Sequence, residues 1–286
     1  MPHMRALSFL IGFAWVMILT PLHAAEKTVR PNIIFVLTDD QGYGDLGFTG
    51  NPILHTPNID AFARQSVRFT DFHVSPTCAP TRSALMTGRH EFKNGVTHTI
   101  NERERMRGEK AMPYQGGTRV PSFWRWPAAF KGDRDCAALT AQIDVFPTLA
   151  EIAGASLSAD VKEQVEGRSL VPLLNNSQTD WPDRILVTHV GRWERGAAAQ
   201  AKFQQCSIRD ARFTLVNNAE LYDLRADPGE TRNLITGQPA EVAKLRAAYD
   251  HWWDSVQSLL VNENVTGPKE NPFAALYREQ FGSAAR

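Results

Sequence analysis

The stretch CAPTRSALMTGR, residues 78–89, places a thiol, a proline and an arginine at the spacing C-x-P-x-R. Pro80 suits the first turn of a helix and Gly88 suits its exit, so the sequence predicts a helix that begins just after Cys78. The N–H groups and the dipole of a helix N-terminus favour an anion. Arg82, one turn further on, offers a planar fork to oxyanions. The spacing fits a nucleophile beside an anion site, and equally a buried structural cysteine beside a surface arginine.

Two adjacent acids, Asp39 and Asp40, follow the apolar run Asn32–Thr38. The run is too short for a helix and rich in branched residues, so we expect a buried, parallel strand. In α/β folds, ligands bind at the carboxyl ends of such strands. The two carboxylates can therefore form a site for a hard cation, or they can simply cap a helix.

Alternating elements must position these groups. Ile59, Phe62, Ala63 and Val67 recur at helical spacing in TPNIDAFARQSVRF, with Thr56 or Asn58 as the cap. A strand followed by a helix indicates an α/β fold. The later stretch GGTRVPSFWRWPAAF reads as a strand stopped by Pro127, and LTAQIDVFPTLAEIAGA as a helix closed by Gly154.

The sequence pattern changes from about Arg184, where short segments typical of strands are separated by Asn, Asp, Pro and Gly. They predict a small antiparallel sheet, followed by a helix from about Pro239. Apolar residues recur every three or four positions along that helix, a pattern of core packing: Val242, Leu245, Tyr249, Trp252, Val256 and Leu259. We expect a signal peptide over residues 1–24, an α/β domain over 25–183 and a C-terminal α+β subdomain over 184–286.

The bulk composition narrows the function classes. The 286 residues carry 31 Lys+Arg and 31 Asp+Glu, which leaves no basic face for nucleic acid. Arg5, the apolar run Ala6–Leu19 and the small residues after it are typical of a cleaved signal peptide, so we expect an exported chain, periplasmic or secreted, with no membrane span after cleavage. Export favours disulfides, and Cys136 and Cys206 either pair or remain buried thiols.

Five separated motifs, in the right order, resemble the type I sulfatase (arylsulfatase) family, whose members share the alkaline-phosphatase-like α/β fold. The motifs are RPNIIFVLTDDQGYGDLG, HTPNID, CAPTRSALMTGR, YQGGTRVPSFWRWP and ELYDLRADPGETRNL. Related hydrolases that act on phosphate esters or phosphonates place Thr or Ser at the motif cysteine, so the intact CAPTR argues for sulfate esters.

The resemblance implies roles for individual residues. Cys78 matches the cysteine that a formylglycine-generating enzyme converts to an aldehyde, and Arg82 the arginine that holds the modified residue. Asp39 and Asp40 match carboxylate ligands of a divalent metal, usually calcium, with magnesium as the alternative, and residue 78 completes the contacts to that metal. Lys110 matches a lysine on the substrate's sulfate. By itself it also reads as a surface lysine in a charge run.

The implied reaction is attack on sulfur by one hydroxyl of the aldehyde hydrate, which expels an alcohol. The second hydroxyl then loses its proton and eliminates sulfate, which restores the aldehyde. Positive charge placed around a dispersed anion supplies most of the catalysis. The resemblance implies an aryl or carbohydrate sulfate as the substrate, either a small molecule or a sulfated glycan.

A central block that family members carry has no counterpart here, because only NERERMRGEKAMP stands between the flanking motifs. The join near Met106 and Arg107 therefore predicts an internal deletion and a truncated sheet. The block would carry further metal ligands and groups near the leaving group, so we expect weak or absent turnover. The alternative is an inactive remnant, or a protein that binds sulfated glycans without hydrolysing them.

Overall fold

The computed structural model describes residues 31–96, 111–176, 181–194, 196–260 and 278–280. The predicted signal peptide, Lys110 and the join near residues 106 and 107 lie outside these ranges. Within them, no helix combines the length and the apolar character needed to cross a bilayer.

Two sheets and their helices make up the described chain. The strands are β1 Val67–His73, β2 Arg119–Trp124, β3 Arg134–Cys136, β4 Thr140–Ala141, β5 Leu186–His189, β6 Cys206–Arg209, β7 Phe213–Val216 and β8 Glu220–Asp223. The α-helices are α1 Pro57–Arg64, α2 Cys78–Thr87, α3 Gln115–Thr118, α4 Val145–Ile152, α5 Ala159–Gln164, α6 Val171–Leu174 and α7 Pro239–Gln257.

The first sheet, sheet A, is built around β1. Strand β2 pairs antiparallel with it, whereas β3 and β4 pair parallel with it. Val67 and Phe69 of β1 are buried in a core that includes Val145 of α4 and Leu173 of α6. Two of the three pairings among the described strands of sheet A are therefore parallel. The sheet is a shortened form of the mostly parallel sheet with flanking helices that the sequence predicts.

The second sheet, sheet B, is an antiparallel meander in the order β5-β6-β7-β8. Helix α7 covers it, as the sequence predicts. The core between them contains Ile208, Leu215, Leu245 and Tyr249. Val256 is buried as predicted, but Trp253 and Leu260 are buried in place of Trp252 and Leu259, so two positions of the apolar stripe lie one residue further along than the sequence predicts.

The run Asn32–Thr38 is not the buried strand that its composition predicts. No strand is assigned there, and Ile34 is 88% exposed. A central strand needs hydrogen-bonding neighbours, and no described strand of either sheet pairs with this run. The sequence also gives no signal for β1, because Val67 fits the helical spacing of the preceding segment although it begins a strand.

Cys136 and Cys206 do not form a disulfide. They lie in different sheets, on β3 and β6. Burial raises the pKa of the Cys206 thiol to about 12 and also raises the pKa of Cys136. Both therefore stay thiols rather than thiolates at neutral pH.

Candidate active site

Helix α2 begins at Cys78, one residue before the start that the motif predicts, and ends where Gly88 adopts a positive φ of 65°. The loop that leads into the helix is fixed from several sides. Thr81 Oγ1 donates to the carbonyl oxygens of Ser75 at 2.9 Å and Thr77 at 2.8 Å. The N–H of Val74 donates to the carbonyl of Thr118 at 2.9 Å. These bonds hold the N-terminus of α2 at the end of β1.

Thr77 is the N-cap of α2, but its side chain does not cap the helix. The residue is 3% exposed, and its Oγ1 has no hydrogen-bond partner within the described chain. A buried hydroxyl without a partner is costly unless something binds it. It adds an unused donor to the N–H groups of the helix start, next to Cys78.

The predicted site residues line one cavity of about 1110 Å³: Asp39, Asp40, Cys78 and Arg82. The cavity lies between the segment 31–46, sheet A and helix α2, and its lining also includes Thr77 and Ser75. Arg82 is exposed, and Cys78 is half-buried and outside any disulfide. A thiol at the start of a helix thus shares a cavity with an arginine and two carboxylates that lie 38 or more positions away in the chain.

The loop that carries the two aspartates is a turn rather than a strand end. Asp40 has a φ of 55°, in the left-handed region. The N–H of Gly42 donates to Asp45 Oδ2 at 2.7 Å, and Asn51 Nδ2 donates to the carbonyl of Gly44 at 2.8 Å. The loop contacts sheet A through a cation–π interaction, in which the guanidinium of Arg119 on β2 lies 4.3 Å from the centroid of the Tyr43 ring.

The acidic groups do not complete a metal site. Within the described ranges, no three His, Cys, Asp or Glu side chains come together as a set that could hold a metal ion. Calcium prefers six to eight oxygen ligands, roughly, and two carboxylates fall well short of that number. The assignment of Asp39, Asp40 and Cys78 to a metal stays a prediction.

A largely buried polar cluster links the two sheets. His73 Nε2 lies 2.8 Å from Asp71 Oδ1, and Arg209 Nη2 lies 3.0 Å from Asp71 Oδ2. Burial, followed by the charge of Arg209, lowers the pKa of His73 to about 4, so the imidazole is neutral at pH 7. Burial favours the protonated form of Asp71, but the hydrogen bond from His73 and the charge of Arg209 hold its pKa below the usual value.

A second buried acid supports the site from the other side of α2. Glu91 is 1% exposed, and its Oε1 accepts a hydrogen bond from Ser75 Oγ at 2.5 Å. Gln142 Nε2 donates to the same Ser75 oxygen at 3.0 Å. Neither Glu91 nor Ser75 stands out in the sequence. The only signal in the sequence is their closeness to the motif: Ser75 lies three residues before Cys78, and Glu91 lies two residues after Arg89.

Solved structures and family models identify the fold and the family of this chain. The fold is shared with the solved structure of Ps i-CgsB, with a TM-score of 0.64 and 14% identity over 90% of this chain and 98% of that chain. It is also shared with the structure of a 2-O GAG sulfatase, with a TM-score of 0.54 and 14% identity over 82% of this chain and 94% of that chain. This is the alkaline-phosphatase-like α/β fold.

The sequence matches two family models, Sulfatase over residues 31–114 and N-sulphoglucosamine sulphohydrolase, C-terminal, over residues 106–251. The chain belongs to the sulfatase family. It is 40% identical to Arylsulfatase G of Mus musculus over 90 residues, 31% of this chain and 17% of that protein. It is 44% identical to N-acetylgalactosamine-6-sulfatase of Mus musculus over 85 residues, 29% and 16% respectively. The matches thus span less than a fifth of the length of these relatives.

Proposed function

We propose that this chain is an exported sulfuric ester hydrolase that retains the nucleophile half of its site and turns over weakly. The observation that carries the proposal is the shared cavity of Cys78, Arg82, Asp39 and Asp40 at the N-terminus of α2. Family membership supports hydrolysis of a sulfate ester. Aryl and carbohydrate sulfates are both candidate substrates, since arylsulfatases and an N-acetylgalactosamine-6-sulfatase are among the relatives.

The residues of the chain act mainly as anion binders. The N–H groups at the start of α2 and the buried Thr77 hydroxyl donate to sulfate oxygens, and Arg82 offsets their charge. Position 78 lies where an attacking oxygen must stand, beside that anion. Formylglycine made from Cys78 by a maturation enzyme would supply, as its hydrate, the hydroxyl that attacks sulfur.

Weak turnover follows from the incomplete set of ligands. The described residues do not assemble three metal-binding side chains, so a calcium or magnesium ion would be held by too few groups. Lys110, the proposed sulfate contact, lies outside the described residues, and its role stays a prediction. The proposed domain division at residues 183 and 184 likewise rests on the sequence alone.

Intact mass and turnover test the proposal together. The protein is expressed with a formylglycine-generating enzyme, and its mass is compared with that of Cys78→Ala and of the matched control Cys136→Ala. We expect wild type and Cys136→Ala to show the mass loss of thiol to aldehyde, with slow release of an aryl alcohol from its sulfate ester. Cys78→Ala should show neither. Full turnover that depends on Cys78 would contradict the incomplete site, and turnover that survives Cys78→Ala would contradict the nucleophile.

A second candidate function is the binding of sulfated glycans without hydrolysis. The same observations favour it, because the anion-binding groups line the cavity while the described residues bring no three metal-binding side chains together. A relative of the same fold, with a TM-score of 0.62, has been solved in complex with k-i-k-neocarrahexaose. An unmodified thiol at Cys78, together with saturable binding of a sulfated oligosaccharide, would favour this alternative over the hydrolase.

A further inference from the structure

Arg119, the first residue of β2, lines the same cavity as Cys78 and Arg82. Two contacts fix its guanidinium. Its Nε donates to the carbonyl of Thr70 on β1 at 2.8 Å, and its Cζ lies 4.3 Å from the centroid of the Tyr43 ring. The side chain is therefore held between sheet A and the loop that carries the two aspartates, with few rotamers available to it.

The charge of Arg119 has no direct counterpart. Within the part of the chain that the structure describes, it forms no ion pair, and its hydrogen bond to Thr70 uses Nε alone. The N–H groups of Nη1 and Nη2 are therefore left to be satisfied by solvent or a ligand. Burial is the largest influence on the pKa values of Asp71 and His73, and the charge of Arg119 adds a smaller lowering contribution to both. A half-buried arginine without a carboxylate partner indicates a place for an anion.

We infer that Arg119 is a second oxyanion contact of this cavity, which binds the sulfate group opposite Arg82 and the start of α2. The inference rests on the proposed function and adds to it a residue from a different element. Tyr43 is a positioning residue in this arrangement, because its ring supports one face of the guanidinium and leaves the outer edge available. The two arginines then approach one anion from a helix and from a strand.

Inorganic sulfate is the probe, and its dissociation constant is measured by isothermal titration calorimetry at an ionic strength of about 0.1 M, where the Debye length is about 10 Å. We expect Arg119→Gln to bind sulfate about tenfold more weakly, as for loss of one charge-assisted contact. The matched control is Arg125→Gln, which removes the same charge from the same cavity wall, where Arg125 Nη2 already donates to Gln65 Oε1 at 3.1 Å. Its sulfate affinity should stay within about twofold of wild type, because long-range electrostatics are screened.

The ring contact is tested with Arg119 left in place. Tyr43→Phe keeps the aromatic face and should bind sulfate like wild type. Tyr43→Leu removes it and should weaken sulfate by about threefold, while the thermal midpoint of both variants is followed as a control for folding. This pair also decides the matter if Arg119→Gln does not fold.

The outcomes separate this inference from the proposed function. Weaker sulfate binding in Arg82→Gln but not in Arg119→Gln would overturn the role of Arg119 and leave the proposed function standing. Unchanged binding in both variants, or no measurable sulfate binding by wild type, would overturn both. A thermal midpoint that falls in Tyr43→Leu with sulfate affinity unchanged would show that the Tyr43 and Arg119 contact only braces the fold, and would also overturn the inference.

Discussion

The hydroxyl of Ser75 donates a hydrogen bond to Oε1 of Glu91 across the base of helix α2, and both side chains are buried. Ser75 belongs to the loop that delivers Cys78, and Glu91 to the turn after the helix. The bond thus ties the entry of α2 to the segment beyond its exit. A buried carboxylate that holds one serine is a device for keeping that loop in a single conformation.

Removing the acceptor should loosen this tie. We expect Glu91→Leu to lower the free energy of unfolding by about 1–3 kcal/mol, because Ser75 Oγ loses its hydrogen-bond acceptor inside the protein. Glu91→Gln keeps an acceptor oxygen and should cost less. Urea titration measures both, with Glu151→Leu on the exposed side of α4 as control. Equal costs for Glu91→Leu and Glu151→Leu would contradict this account.

A close backbone approach makes Gly167 sensitive to any side chain. A Cβ at this position would lie 1.9 Å from the carbonyl oxygen of Ile143, where no atom fits. We expect Gly167→Ala to destabilise the protein by about 3 kcal/mol or more, since backbone must shift. Gly44→Ala is the control, because a Cβ there meets nothing within 4 Å. A thermal scan in which both variants melt together would refute the prediction.

Acid should weaken the fold through its buried histidines. Burial lowers the pKa of His73 to about 4 and that of His189 to about 3, below the unfolded value of 6.5. The unfolded chain therefore binds more protons between these values, and stability is complete above about pH 6.5 and falls as the pH drops toward 4. For His73 alone the loss is about 3 kcal/mol.

Unfolding free energies from urea titrations at several pH values between 7.5 and 4.5 measure this loss. His73→Asn should reduce the slope, whereas His251→Asn, on the exposed side of α7, should leave it as in wild type. A stability that stays flat from pH 7.5 to 4.5 is the result that would count against buried neutral histidines.

The pair of Asp71 and Arg209 joins sheet A to sheet B, and cutting it should be costly. Arg209→Met leaves the half-buried carboxylate of Asp71 without its guanidinium, for which we expect a loss of about 3 kcal/mol. The double variant Asp71→Leu with Arg209→Met should recover part of that loss, because it removes both charges. Chemical denaturation of the singles and the double completes the cycle. Purely additive losses would show that the two side chains are not coupled.

Local chemistry made the site helix predictable. Pro80 and Gly88 bound α2 where the sequence indicates, and the strands and helix of the C-terminal part follow from their spacing. The contacts between site residues that are distant in the chain could not be predicted in this way. Arg119 meets Tyr43 76 positions away, and Gln142 meets Ser75 67 positions away. The packing of sheet A brings these pairs together, and no spacing in the sequence predicts them.

The wrong prediction at Asn32–Thr38 has a related cause. An apolar run of branched residues has strand propensity, but a strand exists only when another strand offers its backbone. Strand β1 shows the reverse case, since VRFTDFH mixes polar and apolar residues and forms a strand because three others pair with it. Pairing partners, rather than composition, decided both segments.

The uncovered run from Ile33 to Leu37 also sets the conditions under which this protein can be handled. Apolar side chains on backbone that no described strand of either sheet pairs with can associate with a neighbouring molecule, so raising the protein concentration should drive the chain toward aggregates. A single lysine at Ile34, the most exposed position of the run, is the smallest change that would repel such a neighbour.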